Sequence, residues 1–157
     1  MFPPRGNTPD PIRALTCFDS LPPHHATFRI KDDASAPHLK PGEFAVVDMS
    51  DTELQKGEIY LIQYEGPQQN RHIVQINTGV IGTLSGRQQL VWWARDLAGI
   101  RQIETMDDPA FGQIPVFGGL SDGPYSPKQL RRKLLGRVVG YSKTALGGLL
   151  APRTEPV

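Results

Sequence analysis

The sequence predicts a mainly β domain with one short helix near its C-terminus, and three observations predict it. The 157 residues include 16 glycines and 15 prolines, about a fifth of the chain where ordinary usage is roughly 12%. Apolar stretches are short and separated by turn signals, as in Lys40-Pro41-Gly42-Glu43 and Lys56-Gly57-Glu58. Only one segment, from Ser126 onward, carries helical spacing behind a capping residue.

Taken in order, the first 25 residues hold Pro3, Pro4, Pro9, Pro11, Pro22 and Pro23. Each fixes φ and removes a backbone donor, so regular structure there must be very short. Residues 1–25 therefore read as an arm, which Ile12, Leu15, Cys17, Phe18 and Leu21 can tack onto a body at 26–145, leaving 146–157 as a tail. Strands are expected at Ala26 to Ile30, Phe44 to Met49 and Ile59 to Tyr64, the last joined through Glu65-Gly66-Pro67 in a hairpin to Arg71 to Ile76. Further strands are expected at Thr78 to Thr83 and Gln89 to Ala94, around a turn at Gly86, with Trp92 and Trp93 on opposite faces. Residues 96–125 read as a long irregular loop with short strands at Ile100 to Ile103 and Gln113 to Phe117. The helix starts at Ser126-Pro127, a cap followed by a residue suited to the first helical position, and Leu130, Leu134 and Leu135 make its apolar stripe. Gly136 is expected to end it, and Arg137 to Lys143 to form a closing strand.

Composition excludes several functions. A formal charge of +1, from 17 basic and 16 acidic side chains, argues against binding DNA or an anionic membrane through the overall field. The lone Cys17 cannot form an internal disulfide, and the four histidines lack ligand spacing, so no metal or cofactor is expected. No apolar run approaches the roughly 20 residues that span a bilayer, and the first residues lack a signal-peptide core. A soluble, cytoplasmic protein without membrane contact is the expectation. The near-zero charge is a cancellation: six acids lie between Glu43 and Glu65 against Lys56 alone, and six basic residues between Ser126 and Lys143 face no acid. Lys128, Arg131 and Arg132 share a helix face by spacing, a basic surface for phosphate, DNA or an acidic partner such as a second copy of the chain.

The stretch from Ile30 to Glu43 resembles the nucleophile segment of LexA-type serine peptidases and signal peptidases, whose pattern is apolar-x-Gly-Asp-Ser-Met-x-Pro-x-Leu-x-x-Gly-Asp. Pro37, Leu39, Gly42 and acidic Glu43 keep that spacing. Lys56-Gly57-Glu58-Ile59-Tyr60 and Leu135-Gly136-Arg137-Val138-Val139-Gly140 resemble the family's next element and final strand. The resemblance spans about residues 27–143 and implies a LexA C-terminal-like β fold in a bacterial or phage regulatory setting.

It also implies a Ser/Lys dyad, in which burial keeps the lysine amine neutral so that it can take the serine proton. Here Ala34 stands at the nucleophile position, and no lysine occurs between Lys56 and Lys128. The window for the base holds Arg71, His72 and Gln75 instead. Arginine stays protonated. The expectation is a pseudoenzyme whose cleft, formed by Asp32, Asp33, Ser35, Arg71 and His72, holds a peptide without cutting it, and which forms homodimers. The alternatives are a serine hydrolase using Ser35 with His72 as base, and a transcriptional regulator touching DNA through Lys128, Arg131 and Arg132. Ala98-Gly99 matches the dipeptide such repressors cut in themselves, but it follows the site rather than preceding it.

Overall fold

A computed structural model describes residues 14–66 and 70–147. The architecture is mainly β. Among the described residues ten strands and one helix follow in the order β1 (Thr16–Cys17), β2 (His25–Arg29), β3 (Phe44–Asp48), β4 (Ile59–Tyr64), β5 (Asn70–Gly82), β6 (Gln88–Arg95), β7 (Arg101–Asp108), β8 (Gly112–Gly118), β9 (Ser121–Tyr125), α1 (Pro127–Arg131) and β10 (Leu134–Ser142). The main sheet runs β2-β3-β10-β4-β5-β6-β9, with β1 added in parallel to β10, while β7 and β8 form a separate two-stranded sheet.

Both faces of the main sheet are covered. Alternation along β4 and β5 sends Ile59, Leu61 and Ile73 into one apolar cluster with Ile30, Leu39 and Leu97, and sends Tyr60, Ile62, Val74 and Ile76 into a second with Leu130 and Leu134. β4 and β5 therefore read as nearly continuous apolar runs, as doubly covered strands should. β5 pairs β4 through its first half and β6 through its second. It thus absorbs both strands expected at Arg71 to Ile76 and Thr78 to Thr83.

The C-terminal segment differs from expectation. The helix spans only Pro127–Arg131, with Ser126 and Gln129 forming a reciprocal capping box. So short a helix cannot stand alone. It is held by Leu130, fully buried in the second cluster, a burial that contributes about 2 kcal/mol. Leu134 and Leu135 belong to β10 rather than to a helical stripe, and Gly136 does not stop a helix. Gly136 is where β10 crosses closest to β3: a Cβ there would lie 2.4 Å from the Asp48 carbonyl oxygen. Leu130 and Leu134, four apart, fit a helix as well as a turn into a strand.

Residues 96–125 are also more regular than expected. β7 and β8 pair from Arg101–Gly118 to Asp108–Gly112, and β9 closes on β6. The hairpin is exposed along most of its length, so the apolar alternation that marks a half-buried strand is weak. Trp92 packs on the second cluster, while the Trp93 ring lies under β9, where a Cβ on Gly123 would meet its Cε3 at 2.7 Å.

The described part of the arm is tied down by very little regular structure. Thr16 and Cys17 pair with Gly140 and Tyr141, and the Phe18 N–H donates to the Tyr141 carbonyl at 2.9 Å. Leu15 packs on the first cluster and Cys17 is exposed. Ile12 and most of the tail lie outside the described residues.

Gly140 allows this contact, since a Cβ there would lie 2.2 Å from the Thr16 carbonyl oxygen and 2.4 Å from the Phe18 ring. Gly136→Ala and Gly140→Ala are each expected to cost on the order of 1–3 kcal/mol by overpacking, read by urea unfolding. Gly140→Ala should in addition expose the chain around Thr16 to protease. Gly82→Ala, with nothing within 4 Å, should stay within about 0.5 kcal/mol of wild type.

Candidate functional site

The turn between β2 and β3 is closed at its base by two backbone hydrogen bonds, Ile30 N–H to the Glu43 carbonyl and Gly42 N–H to the Ile30 carbonyl, both 2.9 Å. Inside it the Asp32 carboxylate accepts the Ala34 N–H at 3.0 Å, the Ser35 carbonyl accepts the Leu39 N–H at 3.0 Å, and the Glu43 carboxylate accepts the Lys40 N–H at 2.7 Å. Leu39 is fully buried and Gly42 has φ +91°, a value that favours glycine. Three of the residues that carry the family resemblance thus have local jobs: Leu39 anchors the turn, Gly42 reverses it and Glu43 caps it.

Ala34 presents no reactive atom. Its carbonyl accepts the Ala98 N–H at 3.0 Å, which docks the turn onto the segment leaving β6. Ser35 is 4% exposed. Asp33 is exposed and holds Arg101 at 3.1 Å. The same guanidinium donates to the Gly99 carbonyl at 3.1 Å and lies 3.6 Å from Asp96.

Asp96 and Arg101 are the residues that sequence reasoning missed. The buried Asp96 carboxylate accepts the Leu120 N–H at 2.8 Å, and the Asp96 N–H donates to the Leu120 carbonyl at 3.0 Å. Burial pushes its pKa above the ordinary 3.8, outweighing the Leu120 amide, Arg101 and His72, which pull it down. Its partners lie 24 residues away at Leu120 and, through Arg101, 68 residues from Arg101 at Asp33. No local pattern announces such contacts.

On β5 Arg71 and the candidate base His72 face opposite ways. Arg71 shares a face with Ile73 and donates from Nε to the Gln63 side chain at 2.9 Å. His72 shares a face with Val74 and leans on the Tyr64 ring, with centroids 5.7 Å apart and planes at 59°. The turn carrying Ala34 and Ser35 packs through Ile30 and Leu39 on the Ile73 side. His72 thus lies on the face of β5 opposite Ile73, while Arg71 shares the face on which the turn packs. Arg101 bridges Asp33 and Asp96, and His72 is close enough to Asp96 to favour its charged form.

The basic residues Lys128, Arg131 and Arg132 are all exposed, on α1 and its C-cap. Lys133, next in the chain, is drawn inward, its ammonium 5.5 Å from the Tyr64 ring centre and 5.6 Å from that of Tyr125. The Tyr125 hydroxyl donates to Asp122, and burial together with that carboxylate pushes it up to about 12. Burial raises Tyr64 as well, with Asp122 adding to the effect. These side chains wall a groove of about 410 Å³ that also includes Gln129, Arg132, Glu65 and Leu135. It lies beside His72 and takes in Arg132 of the expected basic surface, while its tyrosine walls have no sequence signature.

Among the described residues no cluster of three His, Cys, Asp or Glu side chains could hold a metal, and no helix is long and apolar enough to cross a membrane.

Asp96→Ala leaves the Leu120 N–H and Arg101 without their acceptor and is expected to cost about 1–3 kcal/mol in urea unfolding. Asp96→Asn keeps an acceptor for Leu120 but cannot titrate. Because the folded carboxyl holds its proton more tightly than the unfolded one, its contribution is complete below the unfolded pKa and is lost as pH rises through the folded value. Wild-type stability should therefore fall relative to Asp96→Asn as pH climbs from about 3.8, and two parallel pH profiles would contradict this. The chain matches no family model, no curated protein and no solved structure compared with it.

Proposed function

We propose that this chain is a non-catalytic domain of the LexA and signal peptidase type that acts by forming homodimers and by holding a peptide segment, in a bacterial or phage regulatory setting. The observation that carries the proposal is the turn at Ile30 to Glu43. Its shape-giving residues Leu39, Gly42 and Glu43 are engaged, while its reactive position is Ala34 and its neighbour Ser35 is buried. A serine peptidase needs a nucleophile and a base within hydrogen-bond reach of each other. Here the base candidate His72 belongs to the other face of the sheet.

Peptide holding is supported by the arm itself. β1 adds to β10 through main-chain bonds, the mode by which extended peptides join an exposed sheet edge. Leu15 reaches a groove of about 320 Å³ lined by Pro37, His38 and Tyr141, so the strand on β10 extends to the turn that carries Ala34. The exposed Lys128, Arg131 and Arg132 favour contact with an acidic protein surface over DNA, because a one-turn helix is too short to read a groove in the manner of recognition helices.

Purified protein should elute as a dimer in size exclusion with light scattering. Incubation with a serine-reactive phosphonate should leave Ser35 unmodified by mass spectrometry. A single adduct on Ser35 would restore the hydrolase reading. Salt-sensitive retardation of DNA that is lost in Arg131→Ala/Arg132→Ala would establish the regulator reading instead.

A further inference from the structure

The β7–β8 hairpin stands off the main sheet as a two-stranded unit. Such a hairpin is marginal in water by itself, and this one keeps large apolar side chains outside: Ile103 is 56% exposed, Met106 48%, Phe117 62% and Phe111, at the tip, 82%. Ile103 folds over Gly118, where a Cβ would meet its Cδ1 at 2.7 Å, and Met106 sits opposite Ile114. Ile103 and Met106 thus share one face with the half-buried Ile114 and Val116, Phe117 stands on the other, and Phe111 extends from the tip. Acids lie among them, Glu104 on the Met106 face and Asp107 on the Phe117 face. Glu104 and Asp107 are exposed, and Asp108 accepts the Ala110 and Phe111 N–H groups at 2.8 and 2.9 Å, which fixes the tip with the Phe111 ring in solvent. Arg101, the basic residue of β7, is committed to Asp33 and Asp96.

The groove at Tyr64 and Tyr125 has the opposite character. It is concave, aromatic-walled and cationic, with Lys133 between the two rings and Arg132 on the rim. Neither cation makes an ion pair among the described residues. Glu65 is an acid on the same rim, outnumbered by these two and by exposed Lys128 and Arg131 beside them. A volume of about 410 Å³ lies within the roughly 300–1,000 Å³ of pockets that enclose small ligands, enough for one aromatic ring and a carboxylate.

We propose that the hairpin tip of one copy, with Phe111 and Asp107, docks into the Tyr64–Tyr125 groove of a second copy, and that the second copy returns the same contact. This rests on the homodimer reading above and names its interface. Charge decides between the arrangements. Packing hairpin on hairpin would cover only one of the two faces and would bring Glu104 of the Met106 face, or Asp107 of the Phe117 face, together with its own copy, and like charges brought together across an interface are costly. Hairpin into groove pairs acids with Arg132 and Lys133 and lets the Phe111 ring meet two tyrosines, the kind of aromatic anchor on which interfaces depend. Made twice about a two-fold axis, the contact closes and does not propagate.

The test uses two full-length variants at exposed positions, Glu104→Lys/Asp107→Lys and Lys128→Glu/Arg132→Glu, with circular dichroism to confirm folding. Each alone should dimerise at least about tenfold more weakly than wild type, the factor that 1.4 kcal/mol represents, in sedimentation equilibrium. Mixed in equal amounts they should form a heterodimer of near wild-type affinity, because the reversed hairpin of one meets the reversed groove of the other and the two unreversed parts meet as well. Phe111→Ala, which leaves every charge in place, should also weaken the dimer. A wild-type protein that stays monomeric overturns both this interface and the homodimer reading. A wild-type dimer that neither charge reversal weakens, or reversals that the mixture does not rescue, overturns this interface alone.

Discussion

The close approach of β10 to its neighbours is the constraint on which the rest of the structure depends. β10 is flanked by β3 along one edge and by β4 and then β1 along the other. Its register slips between Leu134 and Gly136 and again between Val138 and Gly140, and a slip of one residue exchanges the faces of a strand. Leu134 can therefore serve the second apolar cluster and Val138, four residues on, the first. Each slip ends on a glycine with backbone pressed against it, the Asp48 carbonyl at Gly136 and the Thr16 carbonyl at Gly140. These contacts bring the C-terminal strand into the middle of the sheet, hold the arm, and place α1 so that Leu130 covers the second cluster.

Outside that closure the domain is held more loosely. The β7–β8 hairpin touches the body mainly through Arg101, and the two carboxylates on that guanidinium differ in kind. Asp33 is 74% exposed at its side chain, and an exposed ion pair contributes about 0–1 kcal/mol. Asp96 is buried, and its hydrogen bond from Leu120 matters more to the fold than the 3.6 Å contact with Arg101. Desolvation exceeding charge attraction at Asp96 is what a carboxylate caught between a sheet end and a hairpin root should show. A hairpin joined to the body by so few interactions gains little from intramolecular packing, and its exposed isoleucine, methionine and phenylalanines are free for another surface.

What was legible in the sequence follows burial. β4 coincides with the expected Ile59 to Tyr64, and β2 and β3 fall within a residue of expectation, because apolar runs between glycine turns are unambiguous there. β8 contains the expected strand at Gln113 to Phe117 and β7 takes in Arg101 to Ile103 of the other, but the length and pairing of the hairpin were not legible, since exposed strands carry Gln, Glu, Thr and Asp where a buried face would carry aliphatics. The helix was placed correctly at its start, where Ser126 and Pro127 act locally. Its end was misjudged because Leu134 and Gly136 answer to β4 and β3 rather than to their sequence neighbours. The candidate site divides in the same way. Arg71, His72 and the Ala34 turn are singled out by the family resemblance, but which face His72 takes depends on the register of β5 with β4. Asp96, Arg101 and the Tyr64–Tyr125 groove arise from contacts between distant segments and have no local signature.

The positions that carry the family resemblance and the positions that would carry chemistry obey different physics. Leu39 is required because the turn must be anchored in the core, Gly42 because the backbone there takes φ +91°, and Glu43 because the Lys40 amide needs an acceptor. Each requirement holds whether or not any bond is cleaved. A nucleophile has no such structural duty, and alanine at position 34 leaves every one of these contacts intact. The spacing of Leu39, Gly42 and Glu43 is therefore accounted for by the turn itself. The edge of β10 where the arm lies, the acidic hairpin and the tyrosine-walled groove are the surfaces on which the proposed peptide and homodimer contacts would rest.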